Sequence, residues 1–190
     1  EGHTSGSRAD MFKFRIHAPR YTCDQIMRHS VGTAINCQSQ RYVDMDDNFS
    51  IYIPPKAMEN ETLQTYYKYY ENSCKNHYKL VRRELRNEGI EGEKANDIMR
   101  TMLPIGVACN LTMGFTVEAL INFMHKRLCV RADEPIRKVA QLMRKAVIEV
   151  EPRYADLLIP QCVDKMYCPE KHSCGAYPSK EEVHKKIFGK

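Results

Sequence analysis

The chain has 190 residues, 43% of them hydrophobic and 28% charged, a globular composition that excludes a disordered or fibrous protein. Lysine and arginine total 29 against 24 acids, and a net charge of +5 suits a small anionic substrate as well as it suits nucleic acid. No apolar run approaches the roughly 18 residues of a membrane span, and no secretory leader is visible. The eight cysteines are scattered. They read as reduced thiols of a cytoplasmic protein, or one of the host cytoplasm for a viral chain, and not as a disulfide framework. The chain opens on Glu1, which is read as the loss of part of the N-terminus.

Residues 1–9 are small and polar, so loop-like. In 11–17, Phe12, Phe14 and Ile16 alternate with polar residues, the period of a strand that Pro19 ends. A short helix is expected over about 21–29. A loop around Gly32 follows over 30–38, then two short extended segments near 39–43 and 49–53, closed by Pro54-Pro55. The longest helix is expected over 61–87, where Leu63, Tyr66, Tyr67, Tyr70, Cys74, Tyr78, Val81 and Leu85 keep a helical stripe suited to core or subunit-interface packing. A helix over 93–102 stops before Pro104. Residues 105–113 alternate as a strand, and 117–128 read as a helix. Another helix starts at Pro135, a favourable first position, and ends before Pro152. Ser179 with Glu182 reads as a capping box for a last short helix. With no repeat or linker, 1–190 reads as one α+β domain, an antiparallel sheet with long helices and a Cys-rich tail over 160–190.

The segment richest in chemistry runs Gln25-Ile-Met-Arg28-His29-Ser30, then eight residues, then Ser39-Gln40-Arg41-Tyr42. Its guanidinium, hydroxyl and amide groups can fork onto phosphates and hydrogen-bond a base edge. By composition alone a solvated basic loop is the better reading, and the ordered spacing is what makes the segment specific. Cys162, Cys168, Cys174 and His172 are of the right types for zinc, but their gaps differ from the usual short Cys-x-x-Cys pairs. Free thiols are the other reading there. Cys37 invites a nucleophile reading that a thiol of ordinary pKa does not favour.

The ordered spacing resembles the flavin-dependent thymidylate synthases, which carry Arg-His-Arg, seven or eight residues, then Ser-x-Arg-Tyr. Three positions depart from that pattern: Ser30 for an arginine, Cys37 for a frequent glutamate, and Glu118 for the usual asparagine. The likeness extends to Gly2-His3 with Ser5, to Arg100 before Leu103-Pro104, and to Phe115–Phe123. It implies a homotetramer of α+β subunits with shared active sites, which makes dTMP from dUMP. FAD would be the bound cofactor, with methylenetetrahydrofolate and NADPH as co-substrates.

By the same resemblance Arg127, five residues after Asn122, activates the uracil ring, with Arg131 as rival. His3, Ser5, Arg28, His29, Ser30, Cys37, Glu118 and Asn122 are implied at the flavin. Gln25, Arg28, Gln38, Ser39, Gln40, Arg41, Arg100 and Arg127 are implied at dUMP. No metal, membrane or nucleic-acid partner is expected, and no Gly-x-Gly-x-x-Gly turn is present for a Rossmann-type flavin site. Two other readings stay open: a homologue that has lost catalysis through its three departures, and a basic module that binds nucleic acid.

Overall fold

The computed structural model describes residues 10–45 and 49–189. His3 and Ser5 lie outside the described residues. The described elements run in the order β1 (Met11–Pro19), α1 (Arg20–Met27), β2 (Thr33–Cys37), α2 (Pro55–Met58), α3 (Glu61–Asn87) and α4 (Gly92–Met99), then β3 (Ala108–Thr116), α5 (Val117–Arg127), α6 (Glu134–Val150), α7 (Gln161–Lys165) and α8 (Lys180–Phe188). Helix and a small antiparallel sheet are mixed, so the fold is α+β. The sheet order is β1-β3-β2. Its register is fixed by Val117 N–H to Asp10 C=O (3.2 Å) and Arg20 N–H to Val107 C=O (2.8 Å) on one side of β3. On the other side Thr116 N–H donates to Gly32 C=O and Gln38 N–H to Asn110 C=O, both at 2.9 Å. Among the described residues no helix is long and apolar enough to cross a membrane.

The chain divides into two compact units. The first comprises Glu1–Ile16, Gln25–Ile35 and Thr112–Lys190. Its core is Met113, Phe115, Leu120, Phe123 and Met124 from the β3–α5 stretch, with Ile26, Ile136 and Leu158, all fully buried. The Phe115 and Phe123 rings meet at 5.4 Å, and α5 packs on α6 and α7. Burying each such side chain contributes about 1.5–3 kcal/mol, so this cluster anchors the helix that carries Asn122 and Arg127. Thr116 caps α5 by accepting from Ala119 N–H (3.2 Å). The tail is ordered by the foreseen capping box, in which Ser179 and Glu182 each bond the other's backbone N–H.

The second unit comprises His17–Asp24 and Asn36–Leu111. Phe49, Ile51, Tyr78, Met99 and Val107 form its core, with Cys74, Val81, Leu85 and Leu103 packed against them. Asn60 caps α3 by accepting from Leu63 N–H (3.0 Å). Asn96 is buried and bridges two groups: it accepts from Arg82 Nη1 and donates to Arg41 C=O, both at 2.9 Å.

Four expectations are corrected. Residues 33–37 form β2 where a loop was expected, because the turn at Gly32 delivers them to β3 and tertiary pairing outweighs weak periodicity. Residues 39–43 form a turn and not a strand: Ser39 Oγ captures Arg41 N–H (3.2 Å), and Val43 N–H returns to Ser39 C=O (3.2 Å). In 49–53 only an isolated antiparallel bridge, Ile51 to Val107, is made. β3 begins at Ala108, three residues later than 105, because Val107 N–H closes a turn onto Pro104 C=O (2.9 Å). The stripe on α3 is core only in part. Tyr78 is buried, whereas Tyr66, Tyr69 and Tyr70 are 65%, 74% and 49% exposed.

Candidate active site

In the first unit, α1 ends at Met27 and the chain turns through Arg28, His29 and Ser30 into Gly32 and β2. Gly32 takes φ +70°, and a Cβ there would lie 2.8 Å from Thr116 Oγ1 and 3.1 Å from Ala119 Cβ. Only glycine brings the turn that close to the start of α5 without strain. The result is an open cleft of about 330 Å³ whose walls include Arg28, His29, Ser30, Glu118, Asn122 and Lys126. Five of these are sequence-predicted flavin contacts. Lys126 and Gly32 were missed. Lys126 lies one turn beyond Asn122 on α5, and that i, i+4 spacing was the available signal. Gln25 belongs to this unit but does not line the cleft.

Arg127 stands at the C-terminal end of α5, where a cation is favoured by the helix dipole. Its Nε donates to His29 Nε2 at 3.0 Å. His29 is half-buried and packs edge-on against Phe123, with centroids 4.9 Å apart. Burial, then the charges of Arg127 and Lys126, lower the His29 pKa to about 4. The ring is therefore neutral near pH 7. Accepting at Nε2 leaves its proton on Nδ1. Burial and then the Arg28 charge lower the pKa of Arg127 from its ordinary value. A guanidinium keeps its proton at neutral pH all the same. Arg131 points elsewhere, donating to His172 C=O (2.9 Å).

In the second unit the Ser39–Arg41 turn brings Arg41 onto α4. Arg41 ion-pairs with Glu93, and its Nε lies 3.5 Å from Asp97. That Nε is buried and makes no hydrogen bond. Arg100 pairs with the same Asp97 at 2.8 Å. Two of the predicted phosphate arginines thus meet at one carboxylate. Gln38 accepts from Asn110 Nδ2 (2.7 Å), whose Oδ1 bonds His17 Nδ1 (2.9 Å). Cys37 is not among the residues that line the cleft beside Gly32. Its Sγ sits 3.6 Å from Cys109 Sγ and 3.7 Å from Arg20 Nη1. Neither Cys109 nor Arg20 was singled out in the sequence, since pairing across β2 and β3 is what collects them.

In the tail, Cys162, Cys168 and Cys174 line a small cavity with Cys129 and His125. Among the described residues no three His, Cys, Asp or Glu side chains are placed to hold a metal ion.

The fold and these side chains define a class: an α+β protein that presents arginine, serine and amide donors from short turns between its strands and helices. The family described as thymidylate synthase complementing protein matches residues 1–153. A flavin-dependent thymidylate synthase of Nitratidesulfovibrio vulgaris is 30% identical over 185 residues, covering 96% of this chain and 75% of the relative. One from Clostridium tetani is 31% identical, covering 96% of this chain and 76% of the relative. For another, from Sulfurisphaera tokodaii, the figures are 29%, 85% and 60%. The chain belongs to the flavin-dependent thymidylate synthases, a family of transferases.

Proposed function

We propose that this chain methylates dUMP reductively to dTMP, with FAD bound and with methylenetetrahydrofolate and NADPH as co-substrates. The observation that carries the reading is the Arg127–His29 pair: a guanidinium held at 3.0 Å by a neutral imidazole, on the helix that also presents Asn122 to the cleft. C5 of uracil is a weak nucleophile. A fixed positive charge at the N3–O4 edge of the ring favours electron density at C5, and such preorganised charge is usually the largest catalytic contribution. Arg127 is assigned that role, and His29 holds its direction.

The cleft residues fit a flavin dinucleotide. Arg28 and Lys126 are exposed cations suited to its diphosphate, and Ser30 and Asn122 offer a hydroxyl and an amide. Gly32 allows the backbone approach that forms the cleft floor. When bound, the flavin supplies hydride and one-carbon transfer chemistry. His3, Ser5 and Cys37 complete the flavin set by family resemblance alone. Glu118 works against an anionic ligand in this cleft and is expected to weaken flavin binding, not to abolish it.

Arg41 and Arg100 are assigned to the dUMP phosphate, with Ser39, Gln38, Gln40, Gln25 and Arg28 as further donors. The shared contact with Asp97, which brings both guanidinium groups to one spot, supports this. The nucleic-acid reading is less well supported, because the net charge is only +5. A homotetramer in the cytoplasm is proposed as the working form, and the exposed tyrosines of α3 offer an apolar face for assembly.

The test is the visible spectrum of the purified protein with and without dUMP. A flavin band that shifts on adding dUMP supports adjacent flavin and nucleotide sites. A protein that stays colourless after incubation with FAD overturns the reading.

A further inference from the structure

Cys37 ends β2 and Cys109 lies near the start of β3. The bond from Gln38 N–H to Asn110 C=O sets the register, so Cys37 and Cys109 are diagonal neighbours on one face of the antiparallel pair. Their sulfurs are 3.6 Å apart. A disulfide needs about 2.05 Å, so closing this diagonal pair asks for roughly 1.5 Å of sulfur approach together with a movement of the two strands toward each other. Arg20 Nη1 lies 3.7 Å from one sulfur and 4.0 Å from the other, a charge that favours thiolate. Cys23, fully buried, directs its thiol toward the carbonyls of Ala18 and Cys109, each at 3.7 Å, and also hydrogen-bonds with the Cys109 side chain.

The two thiols are unequal. Cys109 is 3% exposed, whereas Cys37 is partly open. Hydrogen bonding with Cys23, then with Cys37, and the Arg20 charge lower Cys109 to about 6 against the effect of its burial. Burial, then hydrogen bonding with Cys109, pushes Cys37 up to about 11. The accessible sulfur therefore has a ready thiolate behind it.

We propose that Cys37 and Cys109 form an oxidant-sensing dithiol that hydrogen peroxide closes reversibly to a disulfide. In the first step the Cys37 proton passes to the Cys109 thiolate 3.6 Å away, and the Cys37 sulfur so ionised takes one oxygen from peroxide. The O–O bond breaks, Cys37 becomes a sulfenic acid, and one water leaves. In the second step the Cys109 sulfur attacks the Cys37 sulfur. The S–S bond forms and the S–O bond breaks. The departing hydroxide takes up the proton given by the Cys109 thiol and leaves as a second water. Two sulfurs have lost two electrons, and with the one cysteine proton and one proton from solvent one peroxide has become two waters. The new bond fastens the end of β2 just before the Gln38–Arg41 turn. A dithiol reductant reverses it by exchange.

The experiment treats the purified flavin-loaded protein with stoichiometric hydrogen peroxide, alkylates the remaining thiols and maps the peptides by mass spectrometry. The expected result is a Cys37–Cys109 linked peptide, the loss of two of the eight thiols, and their return with dithiothreitol. Cys37→Ser and Cys109→Ser should each slow thiol loss at least tenfold, while Cys162→Ser keeps the link. The parent protein alone is decisive if a variant fails to fold. Accumulation of sulfinic acid at Cys37, or a link from Cys37 or Cys109 to any other cysteine, overturns the proposal.

Discussion

Replacing Arg127 with lysine keeps the positive charge and removes the planar fork. The structure says what is lost. Nε of Arg127 donates to His29 Nε2 at 3.0 Å, and a lysine ammonium on its flexible stem cannot both make that bond and hold a plane toward a second acceptor. A hydrogen bond involving a charged group contributes about 1.5–3 kcal/mol. At about 1.4 kcal/mol per decade, its loss from the activated ring predicts a fall in kcat of roughly ten- to a hundredfold. The KM for dUMP should change less, because the phosphate contacts are assigned to Arg41 and Arg100. The assay is dTMP formation at saturating methylenetetrahydrofolate and NADPH, with flavin content measured in the same samples. An Arg127→Lys enzyme with normal flavin content and kcat within twofold of the parent would refute the assignment of Arg127.

Three further outcomes are expected. Arg41→Ala removes a phosphate donor and leaves Asp97 and Glu93 less compensated; dUMP should bind about ten- to a hundredfold more weakly by titration, at about 1.5–3 kcal/mol per charged hydrogen bond, and an unchanged affinity would remove Arg41 from the site. Gly32→Ala places a Cβ at φ +70° against Thr116 Oγ1, so calorimetry should find a Tm lower by several degrees, about 1 kcal/mol being worth roughly 2–4 °C in a chain of this size. For His29 the folded pKa of about 4 lies below its ordinary value near 6.5. The unfolded chain then binds more protons between those values, so the stability tied to a neutral His29 is complete above about pH 6.5 and is lost as pH falls toward 4. His29→Gln, uncharged at all pH, should flatten that part of a denaturation–pH profile, and an unchanged profile would count against a buried neutral His29.

Regular periodicity made most of the helices legible. The stripe of α3, and Pro135 and Pro152 on either side of α6, gave their bounds within a few residues, and Ser179 with Glu182 gave the cap of α8. β2 was not legible, since it is short and largely exposed and exists because β3 offers it an edge. Ser39–Arg41 looked extended, but a local hydroxyl bond makes it a turn. For the site, ordered motif spacing led to Arg28, His29, Ser30, Glu118 and Asn122, and the structure gathers these five around one cleft. Motif spacing did not show that His29 serves as the hydrogen-bond acceptor for Arg127, because 98 residues separate the pair and only the packing of Phe123 brings them together. Cys109 and Arg20 were invisible for the same reason: they matter through strand register and not through any run of sequence.

The most direct test of the central claim is chemical. The purified protein, loaded with FAD, is incubated with dUMP, methylenetetrahydrofolate and NADPH, and the nucleotides are separated by chromatography. The account predicts dTMP in step with the methylenetetrahydrofolate consumed, and none from an Arg127→Ala variant that still binds flavin. Flavin-loaded protein that binds dUMP yet yields no dTMP would contradict it and would identify a family member that has lost its catalysis.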